Sequence, residues 1–177
     1  MKLRLLPVLI SVIVTSAVLF GGWFVYKGVA MENPLSDILE QSKGIEDAKI
    51  QFKKDVLSLR LTLAPDASLR EIVQHIRQEG EQVIGQRMLD VQVTNAPSPD
   101  LDAWWSSVLF EVAQAMDTKQ YAKIPEAVQA KAGQLEGLTF DTEMDDTNVY
   151  VRLTQGEHSK FIILPRIPAM MGVWSHE

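Results

Sequence analysis

Apolar residues recur along this chain in three rhythms, and each predicts a different kind of element. From Leu5 to Tyr26 the run is continuous and uncharged. At 1.5 Å per helical residue, about 22 such residues cover about 30 Å of hydrocarbon. Lys2 and Arg4 precede the run, while Trp23, Tyr26 and Lys27 close it, all residue types that sit well at headgroup interfaces. The pattern predicts an N-terminal transmembrane helix with Trp23, Tyr26 and Lys27 at the membrane interface. Gly28-Val29-Ala30 has the form of a leader cleavage site. The apolar run, however, is far longer than the roughly 7 to 15 residues of a cleavable leader core, so residues 1–30 are expected to remain as an anchor.

A second rhythm, alternation, begins after a connector over residues 31–44. In the connector Leu35, Ile38 and Leu39 are spaced for one face of a short helix, and Gly44 can close it. Ala48, Ile50 and Phe52 then alternate with Lys49, Gln51 and Lys53, and after Lys54-Asp55 the pattern resumes as Leu57, Leu59, Leu61 and Leu63. That is a hairpin with one buried face. The third rhythm is helical. Ser68-Leu69-Arg70-Glu71 has the form of a capping box, and Leu69, Ile72, Val73, Ile76, Val83 and Ile84 share a stripe that Gly80 interrupts and Gly85 ends. Leu89, Val91 and Val93 alternate again, so residues 45–95 read as a β-β-α-β lobe.

Asn95-Ala-Pro-Ser-Pro-Asp100 reads as a linker that divides the body in two. Beyond it Leu101, Trp104, Trp105, Val108, Val112 and Met116 predict one helix, and a second is expected from Pro125 to about Leu135, ended by Gly137. Strands are expected over 138–144, 148–153 and 160–164, a meander that completes an α-α-β-β-β lobe over residues 96–166. The fold class is therefore α+β, two small lobes sharing one core behind an N-terminal transmembrane helix. Residues 167–177, with Pro168, Met170, Met171, Val173 and Trp174, form an apolar tail too short to span a bilayer.

Charge narrows the range of partners. Lys2, Arg4 and Lys27 are the only charged residues among the first 30, so the 17 basic residues fall to 14 against 23 acidic ones, a formal −9 on the rest. Such a field opposes nucleic acid, and no basic patch interrupts it. The basic residues ahead of the span favour a cytoplasmic N-terminus with the body extracytoplasmic. The absence of cysteine fits an exported domain that does without disulfides.

Candidate chemistry is sparse. His75, His158 and His176 show no metal or catalytic spacing, and no G-x-S-x-G or S-x-x-K pattern occurs. Asp141, Glu143, Asp145 and Asp146 gather acidic oxygens at a turn, but an EF-hand loop would require glycine and glutamate where Asp146 and Arg152 stand. A solvated turn is the expectation, with no metal and no cofactor. Neighbouring helical residues point about 100° apart, so Trp104 and Trp105 need a broad apolar face to be buried together. Trp104, Trp105 and, in the tail, Trp174 are the candidate partner-binding residues.

The layout of one span followed by a small acidic body resembles the uncharacterised single-pass membrane proteins of endospore-forming Gram-positive bacteria. The strands Ala48-Lys-Ile-Gln-Phe, Leu57-Ser-Leu-Arg-Leu and Leu89-Asp-Val-Gln-Val, with the Ser68–Gly85 helix, are also similar in layout to small ring-building and alkaline-shock-type envelope modules. These likenesses imply a place in the cell envelope and carry no functional residue. The expected role is a non-enzymatic, membrane-anchored interaction or scaffold protein. Its partners would be the lipid bilayer, through the N-terminal helix, and a protein of the envelope. The rival expectations are an envelope enzyme using carboxylates as acid and base, among them Asp141, Glu143, Asp100 and Asp102, and a small-ligand or ion-sensing module.

Overall fold

The computed structural model describes residues 5–27 and 33–166. Gly28-Val29-Ala30, His176, Trp174 and the rest of the tail lie outside the described residues, as do the side chains of Tyr26 and Lys27.

The N-terminal run forms helix α1, Leu5–Lys27, 23 residues long. Among the described residues no helix is long and apolar enough to cross a membrane, so the expected transmembrane span is not supported. Helix α2, Asn33–Gln41, follows, and Leu35 and Leu39 on one of its faces are buried. Gly44 then turns the chain at φ +88, where a Cβ would stand 2.6 Å from the Cβ of Ala67, so neither the conformation nor the space admits another residue.

Strands β1, Ile45–Phe52, and β2, Val56–Leu63, pair antiparallel. Helices α3, Leu69–Glu79, and α4, Glu81–Ile84, carry the chain over to β3, Met88–Val93, which lies parallel to β2. The sheet order is β1-β2-β3. The single helix expected over this stretch is broken at Gly80, whose amide closes α3 on the carbonyl of Ile76 before the new turn starts. Registers Ala48↔Leu61↔Val93, Ile50↔Leu59↔Val91 and Phe52↔Leu57↔Leu89 place all nine apolar side chains on one face. Helices α2 and α3 cover that face with Leu35, Leu39, Ile72, Val73 and Ile76, which makes the first core.

Helix α5, Pro99–Asp117, is capped by Ser98, whose Oγ accepts from the Leu101 amide, with Pro99 at the first helical position. Helix α6 spans Lys123–Ala132, starting two residues before and stopping three residues short of the expected limits, and it gives way to a turn at Gly133. Gly137 does not end this helix. It lies at φ +74 and opens β4, Leu138–Met144. Strands β5, Asn148–Gln155, and β6, His158–Pro165, complete an antiparallel meander ordered β4-β5-β6.

The two sheets are separate, so the fold is α+β with two cores. Val149, Val151 and Leu153 of β5 pack against Trp104, Trp105, Val108 and Val112 of α5 and Ile124 and Val128 of α6. The opposite face of the same sheet sends Tyr150, Phe161 and Ile163 into the first core. A strand covered on both faces has no solvent side, which is why β5 is buried or half-buried along its whole length.

Candidate functional site

The acidic cluster is taken apart by the fold. Glu143, on β4, accepts a hydrogen bond from Ser68 Oγ at 2.8 Å and one from Arg70 Nε at 3.1 Å. Ser68 also accepts from the Glu71 amide at 3.2 Å, so a single hydroxyl caps α3 and ties it to the second sheet. Asp141 faces Arg152 across the β4–β5 ladder, its Oδ2 3.4 Å from Arg152 Nη2, while Arg152 Nη1 donates to the Ala67 carbonyl. Asp102 accepts from Lys160 at 2.6 Å. Each of these carboxylates has a cation of its own, and the space that Asp141 and Glu143 line together is only ≈ 10 Å³. Among the described residues no group of three metal-ligating side chains occurs.

Asp145 builds the β4–β5 turn. Its Oδ1 accepts from the Thr147 amide at 2.7 Å, the Thr147 hydroxyl at 2.9 Å and the Asn148 amide at 2.7 Å, while Oδ2 accepts from the Tyr150 hydroxyl at 2.7 Å. Arg166 donates to the Asp145 carbonyl, and Arg77 of α3 reaches the Thr147 hydroxyl. Burial alone would raise the Asp145 carboxyl, but the bonds from Tyr150, Thr147 and Asn148 outweigh it and hold the group below its ordinary 3.8. Burial first, and then the Asp145 hydrogen bond, push Tyr150 up to about 12. This is the chemistry of a locked turn, in which the phenol holds its proton and the carboxylate its charge.

Trp104 and Trp105 are buried at 5% and 9% relative exposure. Trp104 Nε1 donates to the Lys131 carbonyl at 3.0 Å, which joins α5 to α6. Both rings are spent on the second core, and neither is free to meet a partner without opening it. The exposed aromatic ring on α5 is Phe110, at 82%, flanked by Leu109 at 42%. The sequence carries a sign of this, since Phe110 lies five residues from Trp105 and so points away from the buried stripe. Trp23, at 64%, is exposed on α1.

A cleft of ≈ 430 Å³ lies where the α2–β1 connector meets the start of α3. Lys43, Asp66, Ser68, Glu71 and His75 are among the residues that line it. Glu71 and His75 are one helical turn apart, and Lys43 and Asp66 line the same opening. With donors and acceptors on its walls the cleft can hold a small polar solute. His75, whose spacing gives it no metal or catalytic partner in the sequence, lines this cleft.

Asn95 was missed by sequence reasoning. Its Nδ2 donates to the Leu63 carbonyl at 2.7 Å and to Ser159 Oγ at 2.9 Å, and its Oδ1 accepts from the Leu63 amide. The side chain imitates one more strand residue beside β2 and staples it to β6. The segment that reads as a linker is therefore a joint.

Compared with known proteins, the chain matches no family model and no curated protein.

Proposed function

We propose that this chain is a membrane-anchored interaction or scaffold module of the cell envelope, with its body outside the cytoplasm. The observation that carries the reading is the uncharged N-terminal run together with the exposure it keeps once helical. Val12, Ile13 and Val14, and again Val18, Leu19 and Phe20, are each more than half exposed. Three consecutive helical residues cover about 200° of the circumference, so the helix is apolar all round. A helix of that kind belongs in a core or in lipid. Trp23 near its far end, followed in sequence by Tyr26 and Lys27, suits the outer headgroup layer.

The body supports a role in binding over one in catalysis. Asp102, Asp141, Glu143 and Asp145 are engaged in ion pairs, turn building and the joint between the lobes, and these are contacts that keep a presented surface rigid. The net −9 beyond residue 30 keeps the body off anionic headgroups. Lys2 and Arg4 favour retention of the N-terminus in the cytoplasm.

Protease treatment of cells carrying a C-terminally tagged chain tests the topology. The tag is expected to be lost from cells stripped only of their wall. Protection until the membrane is breached would place the body inside and overturn the proposal. Release of the protein by carbonate at high pH, without detergent, would likewise rule out the anchor.

A further inference from the structure

Strand β1 is an edge of the first sheet, paired on one side only. At the hairpin turn the Lys53 amide donates to the Val56 carbonyl, and antiparallel pairing alternates from there, so Asp47, Lys49 and Gln51 turn their backbone groups toward β2. Ala48, Ile50 and Phe52 turn theirs outward. Among the described residues no hydrogen bond reaches the amides and carbonyls of these three on that side. Such an edge is a template for one more strand.

The charges along β1 select the strand that fits. Asp47 stands near its start and Lys53 just past its end, both exposed and both on the face turned away from the core. When β1 runs antiparallel to β1 of a second copy with Ile50 at the centre, Ile50 meets Ile50, Ala48 meets Phe52 and Asp47 meets Lys53. Every outward amide and carbonyl of the three residues then finds a partner, and opposite charges meet at both ends of a two-fold contact. Phe52 of one copy falls beside the small Ala48 of the other, where a cleft of ≈ 250 Å³ opens next to Leu39 and Ile50. The other edge strands lack this pattern. The only charge on β3 is Asp90, β4 has acids without a cation, and β6 has no acid.

We propose that this chain pairs with a second copy of itself through the β1 edges, in the register centred on Ile50, and so joins two three-stranded sheets into one. The half-buried side chains of Ala48, Ile50 and Phe52 then form an apolar face that runs unbroken from one copy's first core to the other's. Ion pairs between Asp47 and Lys53 close that face at each end. The pairing names a partner for the interaction module proposed above and rests on that reading, while the side of the membrane on which the body lies has no bearing on it.

Sedimentation velocity of the full chain in detergent, over a range of concentrations, is expected to show a monomer–dimer equilibrium. Asp47→Lys and Lys53→Asp each set like charges against one another at both ends of the contact, and each should raise the dissociation constant about tenfold. Both positions are exposed, so these variants keep the fold. Mixed in equal amounts, the two variants bring opposite charges together again and should recover the dimer that each has lost, an outcome that a purely structural role for either residue would not produce. The chain has no cysteine, so Ile50→Cys, which meets its own copy on the two-fold axis, should cross-link under mild oxidation well ahead of Gln92→Cys on β3. Monomers at every concentration would overturn the pairing, as would single variants as dimeric as the parent chain, a mixture no more dimeric than its parts, or equal cross-linking at the two cysteines. Each of these results would leave the topology to the protease test, so a failure here and a failure of the anchor are told apart.

Discussion

Tyr150 and Asp145 show how one pair of side chains can set the pH range of a fold. The phenol is buried and donates to a carboxylate that already holds a turn. In the native state its proton is retained up to about 12, against about 10 in an unfolded chain. A folded-state value above the unfolded one means that the stabilisation is complete below pH 10 and is lost as pH rises toward 12. Asp145 has the opposite sign. Its carboxyl lies below 3.8 in the native state, so its contribution is present above that value and lost as pH falls through the native one. Urea titrations across pH should show both limbs. Tyr150→Phe is expected to flatten the alkaline limb and to cost about 1 to 3 kcal/mol at pH 7, because it leaves an acceptor without its donor. Asp145→Asn should flatten the acid limb. An unchanged alkaline limb in Tyr150→Phe would mean that another group sets it.

Among the elements, α3 and α5 respond to substitution in different ways. Ser68 Oγ serves the α3 cap and the bond to Glu143 at once. Ser68→Ala is therefore expected to cost about 1 to 2 kcal/mol, the upper part of the usual range for a lost cap. In a double-mutant cycle with Glu143→Gln the two losses should fall short of additive by more than about 0.5 kcal/mol, since they share one hydrogen bond. Simple additivity would leave the cap and the lobe contact independent. On α5, Trp104→Ala removes a buried ring and its bond to the Lys131 carbonyl, for an expected loss of about 3 to 5 kcal/mol. Phe110→Ser on the exposed face should stay within about 0.5 kcal/mol.

This contrast also shows what the sequence could and could not convey. The Ser68 cap, the hairpin alternation and the α5 stripe were legible because each depends on neighbours a few residues apart. The partner of Ser68 was not legible, because Glu143 lies 75 residues away. Nor was the acidic run 141–146, which reads as one cluster although register sends Asp141 to Arg152 and Glu143 to Ser68 and Arg70. Asn95 looked like a loop residue for the same reason, since only the folded joint brings Leu63 and Ser159 to it.

At the scale of the whole molecule, the second sheet belongs to both cores, and this decides how the body unfolds. Two lobes in sequence suggest two folding units, but Tyr150, Phe161 and Ile163 leave the second lobe to complete the first core. The hydrogen bonds of Arg152 to Ala67 and Thr154 to Pro65, and of Asn95 to Ser159, cross the same boundary. A fragment of residues 33–95 would expose one side of its core, with too little apolar surface left to offset chain entropy. It is expected to show no cooperative transition by circular dichroism and little amide protection. The intact body, residues 33–166, should unfold in a single transition reported alike by near-UV signal from Trp104 and Trp105 in the second core and by far-UV signal from both sheets. Leu59→Ala, which opens a cavity in the first core, should lower that common transition by about 2 to 5 kcal/mol and carry the tryptophan signal with it. Separate midpoints for the two signals would show that the cores are independent and that the shared sheet does not couple them.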